Sequence, residues 1–387
     1  MNDLTELPEW VKSLGLPQAA IDAIDRYWKP VWDQIRPQLE LLPDHDRTAP
    51  GGLVAPAGDW IEFEAIAERQ PGDSWQTAFE RMWPAYRRWY LKDGEAARPD
   101  LETCRRKLAA HMPELVPTYE RLLELAAGDE LAGRFLSMYC PPAFVVGCSQ
   151  GAWAREPGPA LVRNYDYPAS KAEGIVYLTA WTGRRIIGVS DCLWGLVDGV
   201  NDAGLAASLT FGGRRAVGNG FGIPLVVRYL LETCETVADA RGVLARVPVH
   251  AAQNVTLLDR SGEYLTAYLG PDREPDFRPL PAATNHQAAD DWPEYARAVR
   301  TFERERVILE LLASADMTRE RFIDAFVERP LYSTAFASGF GTLYTAAYFP
   351  AEGRAEYRWP GRAWTQSFDH FTERRHTQTY GEERRAA

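Results

Sequence analysis

Phe144-Val145-Val146-Gly147-Cys148-Ser149, followed by Leu161-Val162-Arg163-Asn164-Tyr165-Asp166-Tyr167, is the stretch on which the reading of this chain turns. An apolar run ends at a glycine, a cysteine comes next, and the following strand carries Arg-Asn-x-Asp. That order sets a thiol close to a cation and an anion. Alternation along the strand puts Arg163 and Tyr165 on one face and Asn164 and Asp166 on the other. A bend or bulge is then needed for Arg163 and Asp166 to converge on one site.

Taken alone, a cysteine such as Cys148 is most often a core residue. Its setting gives a second reading. Gly147 can adopt backbone angles closed to other residues, which suits a strained peptide poised for attack by the next side chain. Attack of the thiol on the Gly147 carbonyl turns the amide into a thioester, and water then frees Cys148 as a new N-terminus. An α-amine, with a pKa of roughly 7.7–8.0, takes the thiol's proton near neutral pH and later returns one to a leaving amine. Such a site needs no histidine. Arg163 would favour the thiolate or hold a carbonyl, and Asp166 would orient the ammonium group. The alternative for these two is an ordinary, partly buried ion pair.

Two later stretches offer further groups. Thr284-Asn285-His286 carries a side-chain amide that can donate to the oxyanion of a tetrahedral intermediate, although an isolated Asn285 also fits a turn. Asp198-Gly199-Val200-Asn201-Asp202-Ala203-Gly204-Leu205 reads as a tight hairpin turn. Ser208-Leu209-Thr210-Phe211-Gly212-Gly213 after it offers backbone amides and the Thr210 hydroxyl to the reacting carbonyl.

Composition bounds these readings. At 387 residues, 46% hydrophobic and 25% charged, the chain has the make-up of a soluble globular protein with ample length for a core. A net charge of −11 argues against nucleic acid and anionic membranes as partners. The acidic start Met1-Asn2-Asp3-Leu4-Thr5-Glu6 is unlike a secretory signal, and no apolar stretch has membrane-spanning length, so a cytoplasmic location is expected. The five cysteines (Cys104, Cys140, Cys148, Cys192, Cys234) form no CxxC pair, and the six histidines no HExxH. No metal and no nucleotide or flavin cofactor is expected.

Along the chain, the first third reads as helical. Amphipathic stripes run over Ala19–Leu42, Trp75–Leu91 and Leu115–Leu136, with a loop at Thr48–Gly52. After Cys140-Pro141-Pro142 the texture becomes short strands: Ala160–Tyr165, Gly174–Thr179, Arg185–Val189, Gly204–Thr210, Val255–Asp259 and Glu263–Tyr268, then a pair near Gly341–Phe349 and Arg354–Trp359. Helices are expected over Leu225–Leu244 and Ala296–Ala313, and a frayed charged tail from about residue 372.

Gly-Cys-Ser, Arg-Asn-Tyr-Asp, Asp-Gly-Val-Asn-Asp-Ala-Gly-Leu and Thr-Asn-His, in that order, resemble the acyl-CoA:6-aminopenicillanic acid (isopenicillin N) acyltransferase family of N-terminal-nucleophile hydrolases. Choloylglycine hydrolases and acid ceramidase-type amidases share the core pattern. The resemblance runs from about Val145 to Trp359. It implies an α+β fold, a four-layer αββα sandwich opened by Cys148. Residues 1–147 would be a helical pro-segment retained as an α-subunit, and residues 148–387 the catalytic β-subunit.

The resemblance also implies roles: Cys148 as nucleophile cleaved from Gly147, Asp166 holding its amine, Arg163 supporting thiol and substrate, and Asn285 in the oxyanion hole. A Ser or Thr followed by Arg is expected after Thr-Asn, matched either by Thr301 and Arg304 or by Ala296-Arg297. Choloylglycine enzymes carry an Asn where this chain has Thr210 or Phe211, which weakens a bile-salt reading. The pro-segment is longer than in many relatives, so the added length would cover the site or make an oligomer contact. A linear amide hydrolase or acyltransferase is implied, acting on a small amide or acyl substrate, with acyl-CoA as one acyl donor. The 13 Trp, 17 Tyr and 15 Phe suit an apolar acyl pocket and an ordinary core equally. A same-fold enzyme that never cleaves, and a non-catalytic binding or scaffold protein, remain the alternatives.

Overall fold

The computed structural model describes residues 59–287, 292–336 and 339–380. The stripe at Ala19–Leu42 and the loop at Thr48–Gly52 lie outside them. The described chain opens on a strand, β1 (Asp59–Glu68), in which Ile61, Phe63 and Ala65 are buried between the half-exposed Glu62 and Glu64. That is the period of two expected of a strand with one face inward. Helix α1 (Asp73–Tyr90) starts where the carboxylate of Glu68 accepts from the amides of Ser74 (2.9 Å) and Trp75 (3.2 Å). An anion there satisfies orphan N–H groups and complements the helix dipole. The helix buries Trp75, Phe79, Met82, Tyr86 and Trp89 along one stripe. Helices α2 (Leu101–His111), α3 (Val116–Leu125) and α4 (Glu130–Leu136) complete this region.

Strands β2 (Gly147–Trp153) and β3 (Ala160–Asp166) then form an antiparallel pair in which Cys148 lies opposite Tyr165 and Gly147 opposite Asp166. They are followed by β4 (Ile175–Thr179), β5 (Ile186–Asp191), β6 (Gly195–Asn201), β7 (Leu205–Phe211), α5 (Ile223–Thr233), α6 (Val237–Leu244), β8 (Gln253–Asp259), β9 (Tyr264–Leu269), β10 (Asp276–Arg278) and β11 (Ala282–Ala283). Next come α7 (Pro293–Ala298), α8 (Thr301–Ala313), α9 (Arg319–Ala325), β12 (Thr334–Ala335), β13 (Phe340–Phe349), β14 (Arg354–Trp359), β15 (Arg362–Ser367) and β16 (Arg374–Tyr380).

Two sheets result. One has nine strands in the order β10-β9-β8-β7-β6-β5-β4-β1-β16; the other has seven, in the order β11-β2-β3-β13-β14-β15 with β12 beside β13. They pack face to face through β2 and β3 against β7 and β8, with α5 and α6 on the outer face of the larger sheet and α8 on that of the smaller. Trp153, Val162, Ala347 and Phe349 of the smaller sheet bury against Ile308 of α8 and Phe322 of α9. The architecture is therefore the expected α+β, four-layer αββα sandwich.

Several expected boundaries shift, each for a local reason. Leu225–Leu244 is two helices because Thr236 and Asp239 form a capping box that starts α6 afresh. Leu115–Leu136 breaks at Ala127 (φ 58°) and Gly128 (φ 69°), and Ala296–Ala313 breaks at Arg300 (φ 51°), all in the left-handed region. Within the tail expected to fray from about residue 372, Arg374–Tyr380 form strand β16, paired antiparallel with β1 from Asp59 opposite Tyr380 to Ala65 opposite Arg374, and residues 381–387 lie outside the described residues. The N-terminal third is not wholly helical either, since β1 joins the larger sheet between β16 and β4.

Candidate active site

Cys148 sits near the start of β2, buried, and each of its polar atoms has a different side-chain partner. Its Sγ lies 3.2 Å from Nη2 of Arg163. Its amide donates to Oδ1 of Asn285 at 2.8 Å, and its carbonyl accepts from Nη1 of Arg304 at 2.7 Å. Three segments distant in sequence thus hold one residue.

Arg163 points into the space between the sheets. It donates to the Leu209 carbonyl (3.1 Å) and pairs with the buried Asp198, its guanidinium lying 4.5 Å from the centre of the Tyr165 ring. Asp198 also accepts from the Tyr344 hydroxyl at 2.7 Å and from the Tyr348 hydroxyl. A buried ion pair is tolerable when its remaining lone pairs are satisfied this way. Asn164 points to the opposite face, donating to the Phe326 and Leu331 carbonyls. Asp166 shares that side, accepting from Thr342 Oγ1 (2.6 Å) and from Arg304 Nη1 (3.2 Å).

The expected alternation therefore holds, and the β2–β3 register runs without a break. Arg163 and Asp166 flank the cysteine from opposite sides instead of converging. The irregularity lies in the neighbouring β13, whose register against β3 shifts between Thr342 and Tyr344.

Asn285 is oriented by what surrounds it. Its Oδ1 faces two donors, the Cys148 amide and Arg304 Nη2 (2.8 Å). Its Nδ2 faces two carbonyls, Val146 (3.2 Å) and Phe211 (3.3 Å). Swapping O for N would break all four contacts. The flanking backbone is fixed by Asn254, whose Nδ2 donates to the carbonyls of Thr284 and His286, both at 2.9 Å. Thr210 donates its hydroxyl to the Thr284 carbonyl at 2.9 Å, so this group supports the Asn285 segment where the sequence suggested an oxyanion donor. Thr301 donates to Thr284 Oγ1 (2.7 Å), tying the start of α8 to the same segment. Of the two arginines open in the sequence, Arg304 reaches the site and Arg297 is an exposed partner of Glu294.

Electrostatics follow from burial. Loss of solvent pushes the Cys148 thiol up to about 11, the Arg163 charge opposing and the Asp166 charge adding to the shift. Burial also raises the Asp166 carboxyl above its ordinary value, against the pull of Arg304 and Thr342. Burial works against the Arg163 charge, but Cys148, Asp198 and Tyr344 outweigh it and hold the guanidinium firmly protonated.

Gly147 needs its missing side chain for space. It is not among the glycines with positive φ; a Cβ there would stand 3.0 Å from Asp166 Cβ and 3.3 Å from Phe340 Cδ1. The sequence assigns no role to Asp198, Asn254, Ser149 or Tyr295. Ser149 Oγ accepts from Arg304 at 2.6 Å, and the Tyr295 hydroxyl donates to the Val146 carbonyl at 2.8 Å. Among the described residues no cluster of His, Cys, Asp and Glu could hold a metal ion, and no helix is long and apolar enough to cross a membrane.

Comparison with solved structures finds penicillin V acylase from Agrobacterium tumefaciens at 14% identity, covering 57% of this chain and 86% of that one, with a TM-score of 0.44. A mutant of conjugated bile acid hydrolase from Clostridium perfringens matches at 10% identity over 60% of this chain and 97% of that one, TM-score 0.39. The Caenorhabditis elegans ortholog of N-acylethanolamine-hydrolyzing acid amidase matches at 14% identity over 53% and 93%, TM-score 0.40. No curated protein matches the chain. Residues 153–364, a span that begins after Cys148 and includes Arg163, Asp166, Asn285 and Arg304, match the model of one family. By that match, which covers more than half of its length, the chain belongs to the acyl-coenzyme A:6-aminopenicillanic acid acyl-transferase family.

Proposed function

We propose that the chain is a self-processing cysteine amide hydrolase or acyltransferase that cuts its own Gly147–Cys148 bond and then acts on linear C–N amides. The observation that carries the reading is the triple hold on Cys148: thiol on Arg163, amide on Asn285, carbonyl on Arg304. An ordinary strand cysteine pairs its amide and carbonyl with backbone; here side chains hold both, and a guanidinium faces the thiol.

In the cleavage step Sγ bonds to the Gly147 carbonyl carbon, and the bond from that carbon to the Cys148 nitrogen breaks. The nitrogen keeps the electron pair and takes the proton that the thiol gives up. Water then attacks the thioester, leaving a Gly147 carboxylate, a free thiol and a free α-amine. The nitrogen that becomes this amine already donates to Asn285 Oδ1 in the uncut chain, with the Asp166 carboxylate beside Gly147. It supplies the base that no histidine supplies, while Arg163 offsets part of the cost of a buried thiolate. An incoming acyl group passes to Sγ as a thioester and from there to water or an amine, with acyl-CoA as one class of donor. The retained N-terminal fragment is the second subunit.

Complete burial of the thiol favours one rival, a same-fold scaffold without catalysis. Denaturing intact-mass analysis separates the two. Processing yields two fragments, the larger beginning at Cys148, and Cys148→Ala yields one intact chain. A wild-type chain that stays whole through long incubation overturns the proposal.

A further inference from the structure

In the uncut chain the residues just before Cys148 are tightly held. Residues 144–147 lead directly into the bond that Cys148 would attack, and three features of how they are held describe an acyl group.

The first is polar. The Val146 carbonyl, one peptide upstream of the Gly147 carbonyl, accepts from the Tyr295 hydroxyl at 2.8 Å and from Asn285 Nδ2 at 3.2 Å. Tyr295 is fully buried, its ring stacked on Trp292 at 5.1 Å and edge-on to Phe211 at 5.3 Å, so the hydroxyl is aimed by packing. If Asn285 turns its amide toward an oxyanion, Tyr295 is left as the donor to this second carbonyl.

The second is steric. A Cβ on Gly147 would lie 3.0 Å from Asp166 Cβ and 3.3 Å from Phe340 Cδ1, so any substituent on the carbon next to the reacting carbonyl crowds both and a methylene fits best. The third is apolar. Phe144, Val145 and Val146 all belong to the main core, with the Phe144 ring edge-on to Trp89 of α1 at 6.3 Å.

We propose that residues 144–147 occupy the acyl site as a built-in pseudo-substrate, and that the processed enzyme accepts acyl donors of the form R–CO–NH–CH2–CO–X, with R apolar: N-acylglycyl compounds. This rests on Cys148 being the nucleophile. When Phe144–Gly147 withdraws after the cut, the Tyr295 hydroxyl is a buried donor with its partner gone. A site built around such a donor discriminates against ligands that leave it unpaired.

Chloromethyl ketones read this without a known substrate. Sγ bonds to the chloromethyl carbon, chloride leaves with the electron pair of the C–Cl bond, and the thiol proton passes to the α-amine. Three probes are compared on the processed protein, following the mass of the Cys148 fragment: N-decanoylglycyl chloromethyl ketone, its N-decanoylalanyl counterpart, and an alkyl chloromethyl ketone of equal length without the amide. The glycyl probe is expected to label about 10- to 100-fold faster than either of the others. Its advantage over the alkyl probe should collapse in Tyr295→Phe, while its advantage over the alanyl probe persists.

Equal rates for all three probes overturn the inference and leave the nucleophile assignment standing; the wild-type comparison needs no variant that might misfold. Labelling of the intact Cys148→Ala chain, followed by its whole mass, at the rate seen for the wild type overturns the nucleophile assignment and this inference with it. A Phe-Val-Val-glycyl probe, copying residues 144–147, identifies the source of R. Faster reaction than the decanoyl probe assigns an apolar peptide, and slower reaction a fatty acyl chain.

Discussion

At the scale of single residues, Thr210 shows how a hydroxyl near a reacting centre differs from one that takes part. Its proton is committed to the Thr284 carbonyl, and its oxygen accepts from Asn254 at 3.1 Å. Thr210→Val should therefore slow self-cleavage no more than about tenfold, the scale of one lost neutral hydrogen bond. Loss of an oxyanion donor costs about 10²–10³-fold. A time course by denaturing electrophoresis distinguishes these, and a loss of the larger size would return Thr210 to the oxyanion role. Cys148, Arg163, Asp166 and Asn285 stood out in the sequence because each lies in a short ordered motif, whereas Arg304 was one of two arginines the sequence left open. Asp198 did not, since Asp-Gly-Val-Asn-Asp-Ala-Gly reads as a turn, whereas the residue sits inside β6 as the counter-charge to Arg163. Tyr295 and Asn254 carry no local signal. Their partners are fixed by which strands and helices meet, and that is a property of the packed sheets.

At the scale of elements, the hairpin from β5 to β6 is clamped from outside its own sheet. Tyr86 of α1 donates its hydroxyl to Glu173 (2.5 Å) and lies 3.2 Å from Asp191, while the amides of Leu193 and Cys192 donate to Glu173 (2.7 Å) and Asp191 (2.8 Å). Burial, and then the Glu173 charge, push the Asp191 carboxyl up to about 7; burial raises Glu173 as well. A carboxyl that holds its proton more tightly folded than unfolded contributes stability that is complete below its ordinary value of about 3.9 and lost as pH rises through about 7. Thermal unfolding from pH 4 to 8 should show the wild type losing roughly 2–4 kcal/mol across that window, and Asp191→Asn losing much less. Parallel curves for the two proteins would contradict this. The elements themselves were unevenly legible. The strand at Arg354–Trp359 matches its expected bounds, and β3 differs by one residue, because alternation and flanking glycines mark such strands. Helix breaks were missed where a cap restarts a helix inside a continuous apolar stripe, as at Thr236. Strand β1 was missed although Ile61, Phe63 and Ala65 alternate with Glu62 and Glu64, because helical stripes on both sides set the expectation.

At the scale of the molecule, a break at Gly147–Cys148 would not fall on a fold boundary. The N-terminal side supplies β1 to the larger sheet, and Trp75 donates to the Leu193 carbonyl at 3.0 Å. In return Trp194 donates to the Leu136 carbonyl at 2.8 Å, and Tyr229 to Glu114 at 2.6 Å. The two fragments should therefore elute as one species from a sizing column under native conditions, at low and high salt alike, and separate only in denaturant. Two native peaks would show that the N-terminal fragment is a disposable leader. The position of β1 bears on timing as well. It lies between β4 and β16, so the first and last described strands are sheet neighbours. Asp166 gains its partners Arg304 and Thr342 only from sequence far downstream. A ribosome must therefore release the chain through β13 before the thiol acquires its surroundings, and through β16 before the larger sheet is complete. On the proposed reading, chemistry at Cys148 would be a late event in the life of each molecule, withheld by the topology from products truncated before these strands.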